Sequence, residues 1–117
     1  MQYMLLIYEE EKKWSTMSEA ERNKIFGEYG AFTEAIKKSG HMLHGAPLQP
    51  TSTSTTVRVK DGKSVTTHGP FAETREQLGG YYLIEAKDLD EATMIAAKIP
   101  SARLGCIEVR PVMPMTM

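Results

Sequence analysis

The six residues Tyr3-Met4-Leu5-Leu6-Ile7-Tyr8 constrain the fold more than any other segment of the chain. No charge interrupts them, and successive side chains of an extended strand point to opposite faces. A strand made from this run is apolar on both sides and has to be covered on both. The run falls far short of the roughly 20 apolar residues that cross a bilayer as a helix. The N-terminus also lacks the basic start and small-residue cleavage site of a secretory leader. The single cysteine, Cys106, forbids an intrachain disulfide and suits a reducing compartment. These features predict a central strand in a cytoplasmic protein with no membrane segment.

Downstream, the pattern alternates between helix and strand. Glu9 to Thr16 is polar and reads as a loop. Ser18 followed by Glu21 has capping-box spacing, which starts a helix there. Ile25, Tyr29, Phe32 and Ile36 form its apolar stripe, with Phe26 and Ala35 widening it, and Gly40 is a natural stop. A short extended segment is expected within His41–Leu48, followed by a Ser/Thr-rich loop. Thr55–Val59 and Lys63–Thr67 flank Asp61-Gly62 as a hairpin. A three-residue loop would set Val57 opposite Val65 and Thr55 opposite Thr67. His68-Gly69-Pro70-Phe71 is a turn. Leu78-Gly79-Gly80 leads into the strand Tyr81–Glu85, with the glycine pair marking a bulge or a close backbone approach. A second helix starts at Asp88 or Asp90 and buries Ala92, Ile95, Ala96 and Ile99. The last strand spans about Gly105 to Val112, with its end leaving the ladder at Pro111, and Pro114 to Met117 reads as a tail.

The 117 residues fit one domain, 1–117. With the hairpin set aside, the order is β-α-β-β-α-β, an α+β, ferredoxin-like subunit carrying an inserted β-hairpin. Its two helices cover one face of a four-stranded antiparallel sheet. The apolar residues of Tyr3–Tyr8 on the other face then call for a second copy of the sheet, which predicts a homodimer. Fourteen basic and fifteen acidic residues are interspersed, giving a net charge of -1. No clustered basic face is available for nucleic acid.

Several segments resemble the YCII-related, or DGPF-domain, family. They are Tyr3–Tyr8, Leu48-Gln49-Pro50, Thr55-Thr56-Val57-Arg58, Asp61-Gly62-Lys63, the long stretch from Gly69-Pro70-Phe71 to Tyr82, Ile99-Pro100, and Glu108 to Val112. The resemblance covers nearly the whole chain. It implies a dimeric α+β barrel, an acid–base site near the dimer interface, and an association of some members with extracytoplasmic-function sigma factors. It also implies kinship with small enzymes that work without a cofactor. Where the family name has Asp, this chain has His68.

His68 is the leading acid/base candidate, because imidazole exchanges protons near neutrality; the plainer reading is a solvated turn histidine. Glu73 and Glu76 are its candidate carboxylate partners, and Arg75 is a candidate anion holder. The plainer reading of these three is a surface ion-pair cluster. Arg110, on the same strand face as Glu108, is expected to form an internal or intersubunit ion pair and is a secondary substrate contact. Tyr8, Tyr81 and Tyr82 are candidate substrate contacts, with the adjacent tyrosines on opposite sheet faces. His41 and His44 lack further ligands at metal spacing, so neither metal nor cofactor is expected. Cys106 is expected to be buried and inert. The chain is thus expected to bind a small molecule in the dimer and act as a cofactor-free acid/base enzyme. The alternative is a noncatalytic ligand-binding or sigma-factor partner.

Overall fold

The odd-numbered residues of the first strand set the inside of the molecule. In the computed structural model, which describes residues 1–115, β1 spans Gln2–Glu9, and Tyr3, Leu5 and Ile7 are buried. β1 lies between β5 (Gln77–Glu85) and β6 (Cys106–Pro111), and β2 (Met42–Pro47) borders β5 on its far side. The sheet order is β2-β5-β1-β6, and every pair is antiparallel. Register places Tyr82 opposite Leu5 and Ile84 opposite Tyr3, extending the buried face across β5. Leu5 and Ile84 are fully buried, and each such side chain contributes about 1.5–3 kcal/mol.

That face is covered by helices. α2 (Glu19–Lys38) begins at Ser18, whose Oγ accepts the amide of Glu21 at 3.1 Å. It ends where Gly40 takes a positive φ and the His41 amide reaches back to the Ile36 carbonyl. Ile25, Phe32 and Ile36 are buried as the stripe predicts, and the Phe32 ring meets Tyr82 edge-on. Phe26 and Ala35 do not widen the buried face: both are exposed. α3 (Leu89–Ala96) is capped by the Asp88 carboxylate and buries Ala92, Ile95 and Ala96, with Ile99 buried just beyond it. A single 3-10 turn at Pro100–Arg103 then leads to β6. Glu91 pairs with His41 at 3.1 Å.

Four further expectations are corrected. Glu11–Thr16, expected as loop, is a short helix, α1. Six residues cannot sustain a helix alone. This one is held from outside: Arg22 donates to the carbonyls of Trp14 and Met17, and the Glu11 amide donates to Gln77. The hairpin of β3 (Thr55–Lys60) and β4 (Lys63–His68) closes on a two-residue turn, not a three-residue loop. Asp61 and Gly62 both have positive φ, the type I′ geometry that matches strand twist. Val57 therefore faces Thr66, Val65 faces Arg58, and Thr55 faces His68. Pro111 remains in the ladder opposite Tyr3, on an edge strand where its missing N–H is tolerated. Cys106 is exposed, because it opens an edge strand.

The bulge expected at the glycine pair is present. Ile7 faces Gly80 and Tyr8 faces Leu78, leaving Gly79 as the extra residue. Pro114 and Met115 follow β6 without regular structure; Thr116 and Met117, the rest of the expected tail, lie outside the described residues. No helix among the described residues is long and apolar enough to cross a membrane.

The molecule is a slab of 48 × 47 × 19 Å, thin enough for one sheet and one helical layer. Its Cα radius of gyration, 16.3 Å, exceeds the about 13 Å of a rounded domain of similar length. The hairpin accounts for the spread. It forms its own two-stranded sheet, and Val57, Val59 and Val65 are exposed on it.

Two glycines predict opposite responses to one substitution. A Cβ on Gly27, exposed inside α2, meets nothing within 4 Å, so Gly27→Ala should stabilise by about 0.5–1 kcal/mol. A Cβ on Gly105 would lie 2.0 Å from the Tyr8 carbonyl oxygen, so Gly105→Ala should cost about 1–3 kcal/mol or more. Urea midpoints of the two variants against the parent chain check both signs.

Candidate functional site

β1 ends in a charged residue on its buried side. By strand alternation Glu9 follows Tyr3, Leu5 and Ile7 towards the helices. There it borders a cavity of about 750 Å³ between α2 and the β2–β5 side of the sheet. The volume is in the range of small-molecule sites.

One flank of α2 forms the cavity wall: Phe26, Gly30, Thr33 and Lys37 recur at intervals of four, three and four, one helical face around from the buried stripe. Gly30 leaves room, since a Cβ there meets nothing within 4 Å. Trp14 of α1 stacks on Phe26 with ring centroids 5.6 Å apart and planes 12° apart, forming an aromatic rim. α1 is pinned in place because both oxygens of Glu11 accept from Thr51, from its amide at 2.7 Å and its hydroxyl at 2.9 Å. Across the cavity, the Tyr82 hydroxyl lies 2.8 Å from Thr33 Oγ1, which joins sheet to helix.

A polar chain crosses the base. Tyr29 Oη donates to Ser101 Oγ at 2.6 Å, and Ser101 Oγ donates to Glu9 Oε1 at 3.2 Å. Ser101 is fully buried, so this chain gives its hydroxyl both partners. Burial pushes the Tyr29 phenol up to about 12, and the Glu9 charge adds to the rise. Tyr29 thus stays neutral around neutrality and serves as a donor that fixes Ser101. Burial likewise raises the Tyr82 phenol. Glu9 is the carboxylate that this chain holds at the border of the cavity.

The residues singled out in the sequence fall into separate places. Tyr81 and Tyr82 both border the cavity, but the Tyr81 hydroxyl goes to the other side of the sheet, 2.8 Å from His44 Nδ1. Tyr8 is half-buried on that same outer side, on the face that also carries Met4 and Leu6. Arg110 pairs with Glu108 through Nε at 2.9 Å and through Nη2, the ion pair its spacing suggested. His68 ends β4 and is exposed. Glu73 is exposed in the loop that follows, and Arg75, 90% exposed, reaches Glu10 at 3.1 Å. Glu76 is half-buried and accepts a long contact from Cys106 Sγ at 3.8 Å. His68, Glu73 and Arg75 are not brought to the cavity within this chain. Among the described residues, no three His, Cys, Asp or Glu side chains gather as a metal site.

Sequence reasoning passed over Glu9, Gly30, Thr33 and Ser101, and takes Trp14 as simple packing. The flank Phe26, Gly30, Thr33, Lys37 carried a signal in its helical period with mixed chemistry, one face around from the apolar stripe. Ser101 carried none, because its burial depends on the turn after α3.

Ser101→Ala should cost about 1–3 kcal/mol, because it strips Tyr29 of its acceptor and Glu9 of its donor. The phenol adds a pH signature. Its folded pKa is raised above the unfolded value of 10.0, so its contribution is complete below about pH 10 and is lost as pH climbs through about 12. Tyr29→Phe should shrink the fall in urea midpoint across that window.

Comparison with known proteins places these features in a family. The model of the YCII-related domain matches residues 1–116. A curated protein of Rhizobium meliloti (strain 1021), described as uncharacterized, is 36% identical over 113 residues, covering 95% of this chain and 91% of the relative. The chain belongs to the YCII-related family.

Proposed function

We propose that this protein binds a small molecule in the cavity between α2 and the sheet and carries out cofactor-free acid/base chemistry there, with Glu9 as the proton acceptor. The observation that carries the reading is the cavity itself: about 750 Å³, rimmed by Trp14 and Phe26, with Glu9 oriented at its base by Ser101. A site of this kind combines apolar walls with a few convergent polar groups.

The same proposal includes a ferredoxin-like subunit paired as a dimeric α+β barrel. The strand order β2-β5-β1-β6 supports the first part. The face opposite the helices supports the second: Met4, Leu6, Tyr8 and Leu83 lie there half-buried, and the slab has no second layer to cover them. In such a pair the cavities face outward and the sheets face each other. His68 stays in the proposal as a group on a projecting hairpin, where a second subunit would meet it.

Two measurements test this reading. A thermal-shift screen of small acids, phenols, lactones and amines should return a selective hit. At 100 times its dissociation constant a ligand adds about 2.7 kcal/mol, several degrees for a domain of this size. Gly30→Met, which fills the cavity from an exposed helix position, should abolish the hit without lowering the melting temperature. A hit that survives Gly30→Met would place binding elsewhere. Light scattering should give twice the chain mass, and Leu6→Lys should reduce it to one chain. A monomeric parent would end the barrel proposal.

A further inference from the structure

The charge and aromatic content of the cavity define what kind of molecule fits it, granted that the cavity is the binding site. Its charged lining is Glu9, Glu11, Glu34 and Lys37, with no Arg or His among the lining residues. Of the two carboxylates other than Glu9, one is saturated and one has a neighbouring cation. Glu11 has both oxygens occupied by Thr51. Glu34 stands three residues before Lys37 on α2, where the two charges share a face and offset each other.

Glu9 is different. A serine hydroxyl has one proton to give, and Ser101 gives it to Oε1. Oε2 makes no hydrogen bond among the described residues. No buried side-chain oxygen lacks a partner there, so Oε2 is open to the cavity or to water. A carboxylate accepts up to about four hydrogen bonds, so Glu9 has capacity left for a ligand. An anionic ligand would set like charge against it. A protonated amine would supply the missing donors as a charge-assisted pair. The surrounding rings favour the same choice, because Trp14, Phe26, Tyr29 and Tyr82 line the cavity, and aromatic rings attract cations and pack against a ring.

We infer that the ligand of this cavity is an aromatic amine, bound as its ammonium ion against Glu9 with its ring among Trp14, Phe26 and Tyr82. This is the opposite polarity from the anion expected when Arg75 is taken as the holder. Arg75 is 90% exposed and already faces Glu10.

Calorimetric titration at neutral pH with three probes of one shape tests the inference: 2-phenylethylamine, 2-phenylethanol and 3-phenylpropionate. The amine should bind at least about tenfold more tightly than the alcohol, as a charge-assisted bond of 1.5–3 kcal/mol requires, and the carboxylate should bind most weakly. Glu9→Gln should bring the amine down to the level of the alcohol. The ranking in the parent chain needs no variant, so it stands even if Glu9→Gln folds poorly. If the carboxylate binds as well as the amine, and Gly30→Met abolishes both, the cavity is a ligand site and the amine inference is wrong. If none of the three binds, the inference fails. If Gly30→Met also leaves every hit of the wider screen in place, the cavity reading fails with it.

Discussion

Everything in this molecule depends on the pairing of β1 with β5 on one side and β6 on the other. Two ladders fix which side chains of Tyr3–Tyr8 point inward, and a slip of one residue would exchange the two faces entirely. Because the register holds, Tyr3, Leu5 and Ile7 enter the helical side, and Glu9 arrives at the same side as the strand ends. The polar chain through Ser101 to Tyr29 exists only because the strand delivers a carboxylate where the core gives out. The hydrophobic pattern that folds the sheet thereby also positions the group with most chemistry to offer.

Much of this was legible in the chain. Ser18, Gly40 and Asp88 act through local backbone bonds: Ser18 and Gly40 bound the first long helix as expected, and of the two starts open to the second helix, Asp88 is the cap. The extra residue at Gly79 is a local matter of the same kind. The departures arise where distant groups decide. α1 is a helix because Arg22, Gln77 and Thr51 hold it, and no short-range pattern in Glu11–Thr16 announces that. The hairpin register turned on whether Asp61 would accept a positive φ beside Gly62, a choice that shifts every cross-strand pair by one. Phe26 looked like core because it is apolar, but its partner Trp14 comes from the segment read as loop.

The site was less legible than the fold for a related reason. His68, Glu73 and Arg75 attracted notice through residue type and a shared motif, and they stand on exposed hairpin and loop. Glu9 attracted none, because it opens the mixed charged run Glu9-Glu10-Glu11-Lys12-Lys13, which reads as solvated surface. Its surroundings come from four separate elements, α1, α2, β5 and the turn after α3, and only the assembled sheet brings them together.

The two outer strands carry a consequence for assembly. β2 ends at Pro47 and β6 at Pro111, and proline has no backbone N–H to offer an approaching strand. Each lateral border of the sheet is therefore short of a donor near one end. The sheet is poorly suited to being lengthened sideways into a continuous ribbon of subunits.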